Sequence, residues 1–223
     1  MALPRATTSF AGPGGRAVRL LDTAAGRIII EATPRGIARL EQVGPEVGID
    51  EVGPDQPGTW FDVKHFDDDD NQDNDDDDNP DNDDDTDDDE VRDPDPGAAA
   101  GLLARLADQL EAYLAGERRE FDVPVDWAAA GVHDEFSREA YREIQHIPYG
   151  ETSSYGQISI DAGRPRNARR VGRLCTLVPV PFVIPVHRVI RADGGMGNCP
   201  EYRLRLLEHE RRNLAAADPI AFA

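Results

Sequence analysis

The chain contains almost no lysine. Its 24 basic residues are 23 arginines and one lysine, Lys64, against 44 acidic residues. Of the net charge of −20, a contribution of −17 comes from the stretch between Asp67 and Glu90, which has no basic residue. Few lysines with many aspartates are typical of a high-salt cytoplasm, where dense carboxylates keep a protein surface hydrated. We therefore expect a halophilic protein.

Cysteine is equally scarce, and only Cys175 and Cys199 occur. Two cysteines give no disulfide framework and no cluster of zinc ligands, so the composition predicts neither a metal nor another cofactor. No apolar run approaches the length of a membrane span, and no signal peptide is recognisable. From these absences we expect a soluble, cytoplasmic protein without a membrane partner.

The remaining patterns predict four parts of the chain. These are a small α/β N-terminal domain at 1–66, an acidic disordered insertion at 67–97, a mainly α-helical domain at 98–216 and a tail at 217–223. The insertion is expected to be disordered because a run of like charge buries nothing that would offset its loss of entropy on ordering.

Local patterns assign the secondary structure within these parts. Gly- and Pro-rich residues 1–16 are expected to be frayed, and β-branched runs predict strands at 17–21, 27–32 and 37–43. Helices are predicted from Ala98, where apolar residues share one face, and around the similarly spaced Phe136, Ala140, Tyr141 and Ile144. Two further helices at 155–161 and 167–176, separated by Gly163-Arg164-Pro165, predict a helix-turn-helix of the winged-helix type. A last helix at 203–216 closes the domain.

Arginines are segregated in the second half of the chain. Between Ala162 and Ala192 there is no acidic residue and there are seven arginines, at positions 164, 166, 169, 170, 173, 188 and 191. In a chain this acidic, such a cluster predicts a surface that neutralises nucleic-acid phosphates and binds less tightly as salt rises. The alternative is a solvated arginine-rich face without a binding role.

Five motifs occur in the order of a known family. They are Gly-Glu-Arg with Phe-Asp-Val-Pro at 116–124, Ile-Pro-Tyr-Gly-Glu-Thr-Ser-Ser-Tyr-Gly at 147–156, Gly-Arg-Pro-Arg-Asn-Ala-Arg-Arg-Val-Gly at 163–172, Pro-Val-Pro at 179–181 leading into Pro-Val-His-Arg-Val at 185–189, and Leu-Leu-Glu-His-Glu at 206–210. Over roughly residues 100–212 the chain thus resembles the O6-alkylguanine-DNA alkyltransferases, or methylated-DNA–protein-cysteine methyltransferases.

One residue that the family's chemistry requires is missing from the chain. The family signature is Pro-Cys-His-Arg-Val, so Val186 stands where the resemblance places the cysteine that accepts the alkyl group. A thiolate attacks an alkyl carbon, whereas a valine side chain has no lone pair. By the same resemblance His187 and Glu210 match the base and its orienting carboxylate, and with no proton to take from Val186 they are vestigial. Cys199 is the one candidate for a displaced nucleophile.

The resemblance also assigns DNA and lesion contacts. Arg169 matches the finger that fills the gap left by an extruded base, and Tyr155 matches the tyrosine that helps to turn the nucleotide out. The lesion pocket would be lined by Tyr149, Pro185, Val186, Met196, Gly197 and Asn198, and DNA would be bound by Tyr155, Arg164, Arg166, Arg169, Arg170, Arg173 and Arg188. Val178 replaces an expected asparagine, and the loop at 194–202 is about three residues short.

The sequence leaves three candidate functions. The resemblance favours a repair protein that recognises and flips O6-alkylguanine in double-stranded DNA without transferring the alkyl group. Such a protein is similar to the alkyltransferase-like proteins, which flag lesions for the proteins of nucleotide-excision repair. The alternatives are an active methyltransferase that uses Cys199 and a non-repair DNA-binding protein on the same scaffold.

Overall fold

An antiparallel sheet forms the N-terminal part of the protein. The computed structural model describes residues 7–11, 15–43 and 97–217. The strands run in chain order, as β1 (Thr7–Ala11), β2 (Ala17–Thr23), β3 (Gly26–Thr33) and β4 (Gly36–Val43). Successive side chains of a strand point to opposite faces, and in β3 both faces are apolar. Ile28 and Ile30 join the main core, while Ile29 belongs to a separate small cluster on the other face.

Five helices and two short strands follow the sheet. They are α1 (Ala98–Leu114), α2 (Glu135–His146), β5 (Ser153–Ser154), α3 (Tyr155–Asp161), α4 (Ala168–Thr176), a 3-10 helix (Val186–Arg188), β6 (Val189–Ile190) and α5 (Pro200–Ala217). The parallel pair β5–β6 joins the start of α3 to the 3-10 helix. Capping explains where two helices begin, because Asp134 accepts a hydrogen bond from the Ser137 amide and Ser154 accepts one from the Gln157 amide.

Helix α1 lies across β2, β3 and β4. Its buried residues Leu103, Leu106, Leu110 and Tyr113 recur at helical spacing and belong to the same core as the inner face of the sheet. The sequence predicts α1 as part of the helical domain at 98–216. In the structure it covers the sheet and also carries Tyr113 into the C-terminal half, so it serves both parts.

The β3–β4 turn is tied to the segment before α2. The Thr33 hydroxyl donates to the buried Asp126 carboxylate at 2.6 Å, and Arg35 Nε donates to it at 3.1 Å. Burial alone would raise the pKa of Asp126, but these hydrogen bonds and one from the Ala129 amide outweigh it and hold the pKa below its usual range. Gly36 permits the close approach, since a Cβ there would lie 2.6 Å from the Asp126 nitrogen.

Most predicted elements are confirmed, with differences at the ends. The three predicted strands and the helix at 155–161 are present, whereas β1 lies in the stretch expected to be frayed and α5 begins at Pro200 rather than at residue 203. The acidic insertion at 67–97 lies outside the described residues except for Gly97, and so does the tail beyond residue 217. Helices α3 and α4 pack together, and their identification as a winged-helix-type helix-turn-helix stays a prediction. Among the described helices none is long and apolar enough to cross a membrane.

Candidate functional site

A fully buried carboxylate, that of Glu210 on α5, organises the C-terminal half. Its Oε1 accepts hydrogen bonds from the Tyr113 hydroxyl at 2.8 Å and from His187 Nε2 at 2.7 Å. Arg188 Nε contacts both carboxylate oxygens at 3.2 and 3.1 Å, and its Nη2 donates to Oε1 at 2.9 Å. The Gly150 amide donates to Oε2 at 2.8 Å. These contacts join α1, the residues before β5, the 3-10 helix and α5 at one point, the Glu210 centre.

The charges of the Glu210 centre follow from these contacts. Burial would raise the pKa of Glu210, but the hydrogen bonds from His187 and Arg188 and the charge of Arg188 outweigh it and lower the pKa to about 2. Burial lowers the pKa of His187 below its usual value, against the opposing effect of Glu210. At neutral pH we therefore describe an ionised Glu210 beside a neutral His187. Since Nε2 faces the carboxylate, it carries the imidazole proton and Nδ1 keeps the lone pair.

The backbone around Gly150 requires glycine. Its φ is +79°, in the left-handed region, and a Cβ would lie 2.5 Å from Leu214 Cδ1 on α5. This geometry aims the Gly150 amide at Glu210. Beside it the buried Tyr149 ring lies under the Arg188 guanidinium at 5.5 Å, and its hydroxyl accepts a hydrogen bond from Asn213 at 3.0 Å. The Ile-Pro-Tyr-Gly motif thus forms one wall of the Glu210 centre.

Val186 opens the 3-10 helix directly before His187 and is 7% exposed. Its amide donates to the Ile184 carbonyl at 2.8 Å, and the Arg188 amide donates to the Pro185 carbonyl at 2.9 Å. Pro185 is buried as well. The structure therefore brings Tyr149, His187 and Glu210 together at one buried centre, and Val186 is buried directly before His187 in the chain. The residue that precedes His187 carries an isopropyl group, which cannot donate a proton or act as a nucleophile.

The loop after β6 brings Met196, Gly197 and Asn198 toward Tyr155. Met196 pairs with Ile190 through an isolated bridge, and a Cβ on Gly197 would lie 2.2 Å from the Tyr155 hydroxyl oxygen. Tyr155, the first residue of α3, is half-buried, and its hydroxyl accepts a hydrogen bond from Arg203 Nη1 at 3.3 Å. Asn198 is exposed and accepts a hydrogen bond from the next amide in the chain.

Four predicted DNA-binding arginines lie on the surface around α4. Arg164, Arg166, Arg169 and Arg173 are exposed. The connection between α3 and α4 is held by Ser159, whose hydroxyl donates to the Arg164 carbonyl at 2.5 Å and accepts from the Asn167 amide at 2.8 Å. Arg166 adopts a left-handed φ of +75°, which is uncommon for a residue with a Cβ. The connection thus places Arg164 and Arg166 next to the start of α4, the helix that carries Arg169 and Arg173.

Two other arginines of the predicted set, Arg188 and Arg170, are engaged with groups of the protein. Arg188 is only 6% exposed, and its guanidinium is bound to Glu210 and to the Ile147 carbonyl, so it belongs to the Glu210 centre and cannot reach a DNA phosphate. Arg170 is exposed but engaged, since it pairs with Asp134 at 2.6 Å and its guanidinium lies 4.9 Å from the centre of the Phe136 ring. These contacts link α4 to the start of α2.

The two cysteines lie in different environments. Cys175, on α4, is 2% exposed, and burial raises the pKa of its thiol to about 12. That thiol stays protonated at neutral pH and is a poor nucleophile. Cys199 is partly exposed, immediately precedes α5 and has a left-handed φ of +52°.

Two buried residues were not identified from the sequence, Tyr113 of the Glu210 centre and Arg203, which contacts Tyr155 and Cys175. Tyr113 was predicted only as part of an apolar helix face, and nothing local distinguishes it from a core tyrosine. Arg203 carried a usable signal, because the buried residues of α5 are Arg203, Leu206, Leu207 and Glu210, at positions i, i+3, i+4 and i+7 of one helix face. That spacing places the Arg203 side chain on the same side of α5 as Glu210.

Comparisons with known proteins agree with this arrangement. Residues 135–212 match the model of the 6-O-methylguanine DNA methyltransferase DNA-binding domain. A methylated-DNA–protein-cysteine methyltransferase of Mycolicibacterium paratuberculosis is 42% identical over 126 residues, which cover 55% of this chain and 72% of the relative.

Two solved structures are similar over most of the chain. The O6-methylguanine methyltransferase of Mycobacterium tuberculosis aligns with a TM-score of 0.56 and 26% identity, over 88% of this chain and 93% of that one. The OGT of the same organism in complex with DNA aligns with a TM-score of 0.55 and 27% identity over the same shares. On this evidence the chain belongs to the methylated-DNA–protein-cysteine methyltransferase family of DNA-repair proteins.

Proposed function

We propose that this protein binds O6-alkylguanine in duplex DNA, turns the damaged base out of the stack and holds it without accepting the alkyl group. The held base would then mark the lesion for the proteins of nucleotide-excision repair. The observation that carries this proposal is the Glu210 centre itself. His187 and Glu210 remain hydrogen-bonded at 2.7 Å, while the neighbouring side chain, Val186, has no nucleophilic atom.

The arrangement of His187 supports binding of the alkylated base without transfer of the alkyl group to the protein. An imidazole whose Nε2 proton is held by a carboxylate offers Nδ1 as a base, the arrangement that activates a nucleophile. Here the adjacent residue offers no proton to abstract. The five donor groups converging on Glu210 provide a structural reason for the pair to persist, because removing one partner would leave a buried charge uncompensated.

The surface of α4 supports DNA binding. The exposed arginines Arg164, Arg166, Arg169 and Arg173 lie on the connection and on the first turns of the helix. Arg169 forms no hydrogen bond or ion pair with the residues the structure describes, unlike its neighbour Arg170. An exposed, unengaged guanidinium is free to enter a duplex and stack in the place of an extruded base. We therefore assign the finger role to Arg169.

The two cysteines differ in how strongly they argue against alkyl transfer to the protein. The buried, protonated thiol of Cys175 is unsuited to attack. Cys199 is partly exposed and lies in the loop at 194–202, directly after Asn198 of the proposed lesion pocket, so the alternative of an active methyltransferase depends on Cys199 alone. The third alternative, general DNA binding without base flipping, requires equal affinity for damaged and undamaged duplex.

A binding titration tests the proposal. The full chain is titrated with duplexes that differ only by O6-methylguanine or guanine at one position, at several salt concentrations. We expect tighter binding of the lesion at every salt concentration, because phosphate contacts weaken with salt in both duplexes while the pocket contact is specific to one. Equal affinities for the two duplexes would reject base recognition and favour the general DNA-binding alternative.

A further inference from the structure

Arg170 on α4 is an exposed arginine whose guanidinium is held by the first residues of α2. Its Nη2 donates to Asp134 Oδ1 at 2.6 Å, and its guanidinium carbon lies 4.9 Å from the centre of the Phe136 ring. Phe136 is 3% exposed, so its ring is fixed in the core while the guanidinium that stacks on it stays at the surface. The exposed neighbours Arg169 and Arg173 form no ion pair with the described residues, so Arg170 is set apart from them.

The direction in which Arg170 leaves α4 explains this difference. Successive residues of an α-helix are about 100° apart around its axis, so Arg169 and Arg173, four residues apart, point the same way. Arg170 lies further round the helix, on the side where α2 packs against α4. A duplex bound along Arg169 and Arg173 would therefore have a phosphate-binding side chain beside it that the protein itself already occupies.

Asp134 is fixed in place by a second role. It is the N-cap residue of α2, and its carboxylate accepts a hydrogen bond from the Ser137 amide at 2.9 Å. Burial would raise the pKa of Asp134, but the hydrogen bonds from Ser137 and the charge of Arg170 outweigh it and hold the pKa below its usual range. The carboxylate is thus ionised at neutral pH and binds the guanidinium as a phosphate oxygen would.

The contact also fixes the first turn of α4. Asn167, the N-cap residue of this helix, makes no side-chain hydrogen bond to the first amides of α4. Its own amide donates to the Ser159 hydroxyl at 2.8 Å, which holds the residue before the helix, while Arg170 holds the first turn through Asp134. Arg169, to which the finger role is assigned, belongs to that same turn. The position of Arg170 therefore bears on where Arg169 points.

We propose that Asp134 is a specificity-determining residue, which holds Arg170 on the Phe136 ring and thereby keeps this guanidinium off the DNA backbone and fixes the turn from which Arg169 enters the duplex. This inference rests on the proposed flipping of a damaged base and adds the residues that position the finger. Specificity is a difference between two affinities, so a device that limits binding of plain duplex raises it as well as one that strengthens binding of the lesion.

The other role open to Arg170 is a direct contact with a DNA phosphate. A phosphate contact contributes equally to every duplex and makes the affinity fall more steeply with salt, whereas a positioning contact within the protein acts only where a base is extruded. The two roles therefore differ in the salt dependence of plain-duplex binding and in the preference for the lesion.

The first experiment compares Asp134→Asn with Asp161→Asn in the full chain. Asparagine caps a helix as well as aspartate does, so Asp134→Asn keeps the start of α2 and removes only the charge that holds Arg170. Asp161 is an exposed carboxylate at the end of α3 that forms no ion pair with the described residues, and its Oδ1 accepts a hydrogen bond from Gln157. Asp161→Asn thus removes the same charge without releasing an arginine.

Affinities for O6-methylguanine duplex and plain duplex are measured across salt concentration. We expect Asp134→Asn to bind plain duplex more tightly and to steepen the slope of log affinity against log salt by about 0.9, the value of one phosphate contact. Its preference for the lesion should fall at least about threefold, because one guanidinium cannot hold α4 to α2 and bind a phosphate at once. Asp161→Asn should change neither the slope nor the preference. Equal slopes and equal preferences for the two variants would overturn the proposal.

The second experiment separates positioning from phosphate binding. Base flipping is followed by the fluorescence of an adenine analogue beside the lesion, which rises when its neighbour leaves the stack. Arg170→Ala should keep the salt slope of the unaltered chain and reduce this rise, whereas Arg173→Ala should make the slope shallower by about 0.9 and leave the rise unchanged. A shallower slope with an unchanged rise in Arg170→Ala would identify a phosphate contact and contradict the proposal.

Two controls keep these results separate from other causes. Exposed ion pairs contribute little to stability, so thermal unfolding of each variant should stay close to that of the unaltered chain, and a loss of preference is then not a loss of fold. Equal affinity of the unaltered chain for lesion and plain duplex would reject the proposed function. The salt slopes on plain duplex test whether Asp134 withholds Arg170 in either case, so the two failures are distinguishable.

Discussion

The Glu210 centre makes a quantitative prediction about stability. Glu210→Gln keeps the size of the side chain but removes the charge that compensates Arg188, and it turns an amide group toward donors that need an acceptor. Breaking a buried ion pair by removing one partner costs about 3–5 kcal/mol. The depressed pKa gives a similar figure, since a shift from 4.5 to about 2 corresponds to roughly 3 kcal/mol of stabilisation.

The assay is reversible chemical and thermal unfolding followed by circular dichroism. For a chain of this size we expect Glu210→Gln to lower Tm by roughly 6–20 °C. Glu139→Gln is the matched control, because Glu139 pairs with Arg142 on the surface, and removing such a pair costs less than about 1 kcal/mol. If Glu210→Gln were as stable as Glu139→Gln, the centre would not hold the fold together, and the structural reason for the persistence of the His187–Glu210 pair would be wrong.

The same centre sets a direction for pH dependence. The pKa of Glu210 is lower in the folded chain than in the unfolded chain. Its contribution is therefore present above about pH 4.5 and is lost as the pH falls toward 2. The difference in stability between the unaltered chain and Glu210→Gln should shrink over this acidic range. A constant difference across the range would contradict the assignment of an ionised Glu210.

The remaining predictions concern DNA binding, chemistry and the junction with the sheet. Arg169→Ala should weaken lesion binding more than binding of plain duplex in a titration, whereas Arg173→Ala, one turn later, should weaken both equally; equal losses for Arg169→Ala would make it a phosphate contact. Val186→Cys should restore partial alkyl transfer to the protein, measured by mass spectrometry. Transfer should be incomplete because nucleophilic attack is sensitive to displacements near 1 Å. Full inactivity would show that the pocket differs from that of an active enzyme. Deleting residues 67–90 should leave the fold intact and raise DNA affinity at low salt. The affinity should not change at molar salt, where the screening length is about 3 Å. A truncated chain that fails to fold would contradict the prediction that this segment is an insertion outside the folded domains. Gly36→Ala should destabilise the chain by more than about 1 kcal/mol in denaturant unfolding, because its Cβ would collide with the Asp126 backbone, and an unchanged midpoint would refute that constraint.

Local patterns predicted the parts of the fold whose signals are local. The β-branched run at 27–32 and the serine that caps α3 at Tyr155 define their elements by adjacent residues alone. Strand β1 was missed because its pairing with β2 is not visible in a Gly- and Pro-rich stretch. Segregated charge similarly indicates that a basic surface exists, but it does not tell an exposed arginine from one that folds inward.

The candidate site was likewise predicted only in part from the sequence. The motifs placed His187 and Glu210 together correctly, since sequence order within a known family carries that information. They did not show that Arg188 turns inward to pair with Glu210, nor that Arg203 lies buried without such a partner, because both facts depend on contacts between α5 and segments distant in sequence. Whether an arginine is buried depends on the groups that it contacts in the folded chain, and these groups are distant in sequence.

The most direct test of the central claim measures binding and chemistry on one sample. The unaltered chain is saturated with O6-methylguanine duplex, its preference over plain duplex is recorded, and the protein is then recovered for intact-mass and peptide mass spectrometry. We expect a stable lesion complex in which the mass of the protein is unchanged and the methyl group remains on guanine. A methyl group on Cys199 would contradict it and identify an active methyltransferase.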